Sequence, residues 1–181
     1  MTGNSGLTAV ILAAGFGTRL RPLSYRLPKP LFPILNQPLL GLILSQLETA
    51  GFKRVAVNAH HRAAAIALYL KTQTRWNLEI FLSVEREILG TGGGLRQLSS
   101  FIGDSPFLVI NGDILTDLNF ADLHHQPPQH ALSTMILHDY PRFNNVWLNE
   151  DGQVASFGSA PVGSLPTPLA FTGVQIVSPQ I

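Results

Sequence analysis

Two glycines and two cations follow an apolar run near the start of this chain. The run ends at Ala14, and Gly15, Gly17, Arg19 and Lys29 come shortly after it. Glycines in a turn expose backbone N–H groups, and fixed cations beside them attract an anion. These residue types in this order therefore predict a phosphate site at the end of a buried strand. Such a site suits a polyphosphate whose charge must be held while one of its bonds breaks.

The glycines also have simpler interpretations. A Gly-x-Gly after a strand is most often a tight turn, and a surface cation is most often only solvated. A dinucleotide-binding fingerprint needs a third glycine where this chain has Leu20, and the Gly-Lys-Ser/Thr of a Walker A loop does not occur. What remains is an extended loop rich in Gly, Thr and Arg whose far end carries Lys29-Pro30.

Four motifs in a fixed order resemble those of the sugar-1-phosphate nucleotidyltransferases. They are Gly-Phe-Gly-Thr-Arg-Leu-Arg-Pro at 15–22 with Lys29-Pro30, Leu-Gly-Thr-Gly-Gly-Gly at 89–94, Asn-Gly-Asp at 111–113 and Phe-Thr-Gly at 171–173. The resemblance extends over nearly all of residues 7–181, and it is greatest to the subgroup acting on N-acetylmuramate 1-phosphate or mannose 1-phosphate. It implies transfer of a nucleoside monophosphate, from UTP or GTP, to a sugar 1-phosphate with release of pyrophosphate.

The resemblance also implies a role for each motif. Arg19 and Lys29 are the implied catalytic cations, and Asp113 is the implied ligand of Mg²⁺. The implied nucleotide contacts are Leu12, Ala13, Ala14, Gly15, Gly17, Thr18, Glu85, Gly90, Thr91, Gly92 and Asn111. The implied sugar contacts are Gly93, Asn145, Thr172 and Gly173. Without the resemblance, 89–94 would be interpreted as a flexible turn and 171–173 as part of an ordinary strand.

Asp113 suits a metal site on physical grounds as well. It follows the predicted strand 107–111, and in a doubly wound sheet the carboxyl end of that strand lies near the end of the first strand. A phosphate chain there would face a carboxylate, and a divalent cation would link the two anions. Mg²⁺ commonly takes one or two carboxylates together with substrate phosphates. The alternative is that Asp113 caps a turn after Gly112.

The predicted reaction needs little covalent chemistry from the protein. A sugar 1-phosphate is already anionic, so its oxygen can attack the α-phosphorus without a general base, and the sequence shows no Ser/His/Asp or Cys/His constellation. Catalysis should then consist of positioning and charge stabilisation. We assign Arg19 to the β- and γ-phosphates, and Lys29 to the α-phosphate and the incoming sugar phosphate.

Apolar strand-like runs alternate with helical periods in the part of the chain that carries the first three motifs. Strands are predicted at 7–13, 54–58, 78–83 and 107–111, and helices at 39–50, 61–74 and 93–98. This alternation predicts an α/β fold, a Rossmann-like doubly wound sheet that is mostly parallel with helices on both faces. Further strands are predicted at 131–137, 146–148, 154–157 and 170–177, as an antiparallel extension carrying the sugar site.

Composition limits the classes of protein that this chain can belong to. Its 181 residues, 45% of them apolar, suffice for one domain with a core. The net charge of +1 and the absence of a basic run argue against nucleic acid as a partner. Residues 1–6 are polar and uncharged, and the most apolar stretch, 38–44, is too short for a membrane span, so we expect a cytoplasmic protein. Charged residues make up only 13%, which leaves a homo-oligomer open.

The resemblance has one departure. Family members supply a second metal-binding Asp beyond the point where this chain ends, at Ile181. We therefore expect residues 1–181 to form a single nucleotidyltransferase domain that is truncated at its C-terminus. Two alternatives stay open: a catalytically silent regulatory subunit with the same fold, and a cytidylyltransferase acting on a phosphorylated alcohol. The second alternative should lack a sugar pocket near Asn145 and Thr172.

Overall fold

A six-stranded sheet forms the centre of the protein in a computed structural model that describes residues 8–124, 131–162 and 167–180. The strands are β1 (Thr8–Leu12), β2 (Pro33–Ile34), β3 (Gln37–Pro38), β4 (Arg54–Ala59), β5 (Glu79–Val84), β6 (Phe107–Asn111), β7 (Ser133–His138), β8 (Val146–Leu148), β9 (Val154–Phe157) and β10 (Ala170–Val177). The helices are α1 (Leu39–Thr49), α2 (Ala63–Thr72), α3 (Gly90–Gln97) and α4 (Ser99–Ile102).

The strand order in the main sheet is β5-β4-β1-β6-β10-β7. The chain runs outward from β1 to β4 and β5, and then returns past β1 to place β6 on its other side. β1 pairs in parallel with both β4 and β6, so the carboxyl ends of these strands lie at one edge. The switch in direction beside β1 is where open α/β sheets bind ligands.

Helices cover both faces of this sheet, as the alternation of strands and helices predicted. Successive residues of a strand point to opposite faces. Ile11 accordingly packs in a core cluster with Leu44 of α1, whereas Val10 packs in a second cluster with Leu98 between α3 and α4. Four of the five residues of β1 are buried, because both of its faces are covered.

The helices begin and end close to the predicted boundaries. α1 follows Pro38, and Gly51 beyond its end has a φ of 91°, a left-handed conformation that favours glycine. α2 begins at Ala63, two residues later than predicted at its start, because Arg62 has a φ of 56° and cannot continue a helix there. In the described ranges we find no helix of the length and apolarity that crossing a bilayer requires.

A short hairpin lies between β1 and α1 and was not predicted from the sequence. β2 and β3 are two-residue strands joined by Leu35 and Asn36, which both have positive φ as in the primed hairpin turns. The residues before them, 18–31, form three single 3₁₀ turns. Strands of two residues and single turns carry no measurable hydrophobic period, so pattern analysis cannot find them.

The predicted antiparallel extension is present, but its strands belong to two different sheets. β10 pairs antiparallel with both β6 and β7, which widens the main sheet. β8 and β9 form a separate two-stranded sheet. β7 begins at Ser133 rather than at the predicted Ala131.

Candidate active site

A cavity of about 280 Å³ lies between the carboxyl ends of β1 and β6. It brings together the glycine loop (residues 15–22), the Lys29-Pro30 pair and the Asn-Gly-Asp motif. The residues that line it are Leu12, Ala13, Gly15, Gly17, Thr18, Arg19, Leu20, Lys29, Pro30, Asn111, Gly112 and Asp113. Residues that are far apart in the sequence therefore share one ligand-sized space, as the topology predicted.

Gly112 allows the ends of the two strands to meet. Its N–H donates to the Leu12 carbonyl oxygen at 2.8 Å. A Cβ atom at position 112 would come within 2.9 Å of that same oxygen, which is closer than real Cβ contacts occur. A residue with a side chain here would push Asp113 away from the glycine loop.

The glycine loop, which was predicted to be extended, turns tightly at Gly17. Gly17 has a φ of 61°, and its carbonyl accepts a hydrogen bond of 2.9 Å from the N–H of Leu20. Thr18 to Leu20 form a 3₁₀ turn, and the Arg19 side chain stands exposed at the cavity. The loop and the exposed Arg19 side chain thus line the same space.

Lys29 and Asp113 form an ion pair across the cavity. The Lys29 ammonium donates to a carboxylate oxygen of Asp113, and the two side chains are 27% and 36% exposed. Lys29 starts a 3₁₀ turn, and Asp113 follows the end of β6. In the free protein these two charges neutralise each other, while both remain accessible to a ligand.

The oxygen ligands at this edge of the sheet suit a Mg²⁺ ion that is also coordinated by phosphates. Among the described residues, we find no cluster of three or more His, Cys, Asp or Glu side chains that could hold a metal ion. Asp113 contributes one carboxylate to the cavity. One carboxylate suffices for Mg²⁺ when phosphate oxygens and water complete the coordination. The chemistry therefore fits a metal–phosphate complex rather than a metal centre built from protein ligands.

A second cavity of about 180 Å³ lies between the end of β1 and the start of α3. It is lined by Leu12, Ala14, Gly15, Asn58, Ile88, Gly90 and Thr91. Leu12 and Gly15 also line the first cavity, so the two spaces adjoin. Small residues on its walls leave room for a flat ring close to the backbone.

The helix predicted at 93–98 begins three residues earlier, because α3 starts at Gly90 and most of the motif at 89–94 is therefore helical. The Glu85 carboxylate accepts a hydrogen bond of 3.0 Å from the N–H of Leu89, and a negative charge stabilises a helix start. A Cβ atom at Gly94 would lie 2.7 Å from the side-chain nitrogen of Asn58. Close packing, rather than helix propensity, thus explains how a run of glycines becomes helical.

A buried polar chain connects the glycine loop to α3. Asn58 accepts from the Ala13 N–H at 2.7 Å and donates to the Glu85 carboxylate at 2.7 Å, and both side chains are 3% exposed. The other oxygen of Glu85 is the one bonded to Leu89. Glu85, a predicted nucleotide contact, thus has both oxygens engaged within the protein. Asn58 was missed, although a lone asparagine near the end of an apolar strand is a readable signal.

The turn after β4 supports the glycine loop from the side. His61 donates through Nε2 to the Ser24 carbonyl oxygen at 2.8 Å. The Phe16 ring, at the tip of the loop, meets the His60 ring edge-on with centroids 5.3 Å apart. His60 in turn donates through Nδ1 to the backbone carbonyl of Glu85 at 3.0 Å. These contacts join Phe16 and the backbone of Ser24 to the same scaffold that orients α3.

A third cavity, of about 780 Å³, begins directly after Asp113 in the sequence. It is lined by Ile114, Leu115, Thr116, Asp117, Leu118, Ile136, Leu137, His138, Tyr140, Phe143 and Thr172. The His138 and Tyr140 rings stack with centroids 5.9 Å apart, and Phe143 continues the stack at 5.5 Å. Ring faces combined with a few polar groups are typical of a site for an organic ligand.

The predicted sugar contacts lie on several elements. Thr172 lines the third cavity, although its hydroxyl donates to a backbone carbonyl of β7 at 2.8 Å. Gly173 lies at an irregularity of β10, with a φ of 87°, directly against the side chain of Asn111. Gly93 lies in the first turn of α3, and Asn145 is exposed just before β8.

The fold and the first cavity together define an α/β protein with a glycine-rich loop and a cation–carboxylate pair at its topological switch point. A sequence model of the Nucleotidyl transferase family matches residues 8–164. The chain belongs to this family. The resemblance found in its motifs is thereby confirmed.

Individual relatives agree with this assignment. The UTP–glucose-1-phosphate uridylyltransferase of Synechocystis is 32% identical, over 97% of this chain and 50% of that protein. The N-acetylmuramate alpha-1-phosphate uridylyltransferase of Neisseria meningitidis is 33% identical, over 97% of this chain and 77% of that protein. The crystal structure of HddC from Yersinia pseudotuberculosis complexed with GMP-PN superposes with a TM-score of 0.80 at 27% identity, over 96% of this chain and 77% of that one. The chain thus spans about half the length of the first relative.

Proposed function

We propose that this protein transfers a nucleoside monophosphate from UTP or GTP to a sugar 1-phosphate, with Mg²⁺, and releases pyrophosphate. The observation that carries the proposal is the Lys29–Asp113 pair facing the glycine loop in one cavity. Two relatives named as uridylyltransferases support UTP, and the HddC complex with GMP-PN supports a guanine nucleotide.

The three cavities match the three parts of the reaction. The triphosphate lies along the glycine loop in the first cavity, with its β- and γ-phosphates beside Arg19. The base and ribose enter the second cavity, between Ala14 and Thr91. The sugar of the acceptor occupies the third cavity, beyond Asp113, where Thr172 and the ring stack line the wall.

The chemical step is a displacement at the α-phosphorus. A sugar-phosphate oxygen forms the new bond to phosphorus, the bond from that phosphorus to the bridging oxygen breaks, and pyrophosphate leaves with the electron pair. The attacking oxygen carries no proton, so no general base is required. Repulsion between the two anions is the main obstacle, and preorganised positive charge lowers it.

The residues of the first cavity supply that charge. Arg19 stabilises the charge that develops on the leaving pyrophosphate. Lys29 releases Asp113 and turns its ammonium toward the α-phosphate and the incoming phosphate. Asp113 is the residue that would hold Mg²⁺, and the ion would neutralise phosphate charge.

The third cavity weighs against the cytidylyltransferase alternative. A phosphorylated alcohol such as phosphocholine needs far less space than about 780 Å³. The presence of Arg19, Lys29 and Asp113 around one cavity weighs against a silent subunit.

The test is a matrix of UTP, GTP, CTP, ATP and dTTP against glucose, mannose and N-acetylmuramate 1-phosphates, each with Mg²⁺. We expect pyrophosphate release with UTP or GTP and one sugar phosphate, and the matching nucleotide sugar by mass spectrometry. Nucleotide binding without any product across the matrix would favour the silent subunit. Product from CTP and phosphocholine, added as a further pair, would favour the cytidylyltransferase.

A further inference from the structure

We propose that Ser24 is a positioning residue for the glycine loop. Among the residues that the structure describes, its hydroxyl has no hydrogen-bond partner, and it gains one when a bound triphosphate orients the peptide groups of the loop above it. This inference rests on the proposed function, because it requires a triphosphate on that loop.

The Ser24 hydroxyl is an exception within the described part of the chain. Among the buried side-chain nitrogen and oxygen atoms there, Ser24 Oγ is the one without a hydrogen-bond partner, and the residue is 1% exposed. A buried hydroxyl that lacks a partner destabilises the state in which it occurs. Such groups are rare in native proteins and call for a physical explanation.

The position of this hydroxyl relates it to the glycine loop. A Cβ atom built on Gly17 would lie 3.3 Å from the Cβ of Ser24 and 3.8 Å from its hydroxyl oxygen. The same atom would lie 3.6 Å from the Cβ of Lys29. Ser24 therefore lies directly against the turn at Gly17, which also contacts the base of the Lys29 side chain.

The backbone of Ser24 is held in place from two directions. Its carbonyl oxygen accepts the 2.8 Å hydrogen bond from His61, and the next residue, Tyr25, donates its N–H to Pro22 at 3.1 Å. Gly15 and Gly17, by contrast, lack side chains, and no atom of the described residues lies within 4 Å of where a Cβ of Gly15 would be. The loop, rather than Ser24, is therefore the part that can move to form the missing hydrogen bond.

Peptide geometry says how a ligand would complete this bond. The N–H and C=O of a planar trans peptide point in opposite directions. When phosphates draw the loop N–H groups toward the cavity, the carbonyls of the same peptides turn away from it, toward the side where Ser24 lies. The hydroxyl can then donate to one of these carbonyls, so phosphate binding and satisfaction of the buried hydroxyl occur together.

This coupling predicts an unusual pair of effects for Ser24→Ala. The free protein loses an unpaired polar group, so its melting temperature should stay unchanged or rise. The Kd for Mg–UTP or Mg–GTP should increase by about fivefold to tenfold, the size of one hydrogen bond. The Kd for the corresponding nucleoside monophosphate should not change, because that ligand does not span the loop.

Ser45→Ala is the matched control. The Ser45 hydroxyl lies on α1, away from the cavities, and accepts a 2.9 Å hydrogen bond from the Trp76 indole N–H. Because this hydroxyl is already paired, its loss should lower the melting temperature by about 2–4 °C. The Kd for the triphosphate should stay the same.

The experiment measures melting temperatures by calorimetry and both dissociation constants by titration calorimetry, on full-length protein. Triphosphate binding that is weakened in Ser24→Ala at an unchanged or higher melting temperature supports the proposal. If Ser24→Ala binds the triphosphate as tightly as the wild type does, the inference about Ser24 is wrong and the proposed function still stands. A lower melting temperature with weaker binding of both ligands also overturns it, because that pattern marks a purely structural hydroxyl. A wild-type protein that binds no triphosphate would refute the proposed function, and this inference with it.

Discussion

At the scale of single residues, the site depends on a few charges around the first cavity. In the proposed reaction Arg19 and Lys29 act on different phosphates, so each should matter separately. Preorganised charges of this kind are typically worth orders of magnitude in rate. Their side chains are at least partly exposed, so they add little to stability.

We predict that Arg19→Ala and Lys29→Ala each lower turnover by at least ~10²-fold, measured as pyrophosphate release. The melting temperature should change by less than about 2 °C, because exposed ion pairs contribute little. Lys53→Ala is the control, since Lys53 is exposed at the opposite end of β4. More than a tenth of the wild-type rate in either variant would contradict the phosphate assignment.

Asp113→Asn tests the metal ligand. The substitution keeps the shape of the side chain but removes the charge that attracts Mg²⁺. Titration calorimetry of the triphosphate, with and without Mg²⁺, should show that the enhancement by Mg²⁺ is mostly lost. If Asp113 only caps a turn after Gly112, the variant will depend on Mg²⁺ as the wild type does.

At the scale of elements, buried polar contacts decide how β1, β4 and α3 meet. Asn58→Ala leaves the Ala13 N–H and one Glu85 oxygen without their buried partner. We expect the free energy of unfolding to fall by about 2–3 kcal/mol, and the melting temperature by about 5–10 °C. Denaturant titration and calorimetry measure these effects. A stability equal to that of the wild type would show that water replaces the amide.

Gly173 tests the contact between β10 and β6. Gly173→Ala should lower stability through its positive φ, and should also displace Asn111, because a Cβ would lie 2.9 Å from that side-chain nitrogen. Gly152→Ala is the control, since Gly152 has a φ of 75° and open space around it. Nucleotide binding should weaken in the first variant alone. If both variants weaken nucleotide binding equally, Asn111 does not contact the nucleotide.

At the scale of the whole molecule, a ligand bound at the switch point contacts segments from several strands. It should therefore stabilise the entire fold. At a Mg–UTP or Mg–GTP concentration of 100 times Kd, the linkage contribution is about 2.7 kcal/mol. We expect the melting temperature to rise by about 5–10 °C for the correct base and much less for the others. No shift with any triphosphate would contradict nucleotide binding.

The agreement between sequence and structure is greatest where hydrophobic patterns are long. The buried runs that became β1, β4 and β6, and the amphipathic period of α1, place strands and helices within a few residues. The motifs follow the ends of these strands, so their convergence follows from the handedness and order of the connections. The meeting of the glycine loop with Asp113 could be predicted for this reason.

The features that could not be predicted depend on contacts between segments that are distant in the sequence. Local sequence patterns carry no information about such contacts. The helical glycines of α3 follow from the close approach of Asn58 and Glu85, against the low helix propensity of glycine. Lys29 pairs with Asp113, which is 84 residues away in the sequence. The Ser24 hydroxyl is buried without a partner among the described residues. Both features exist only once the backbone is folded. The amino-acid sequence determined the sheet, its motifs and the class of chemistry, because strand patterns and residue types are local. Tertiary structure alone decided which polar groups are engaged and which stay available to a ligand, because burial and hydrogen bonding depend on what lies opposite in space.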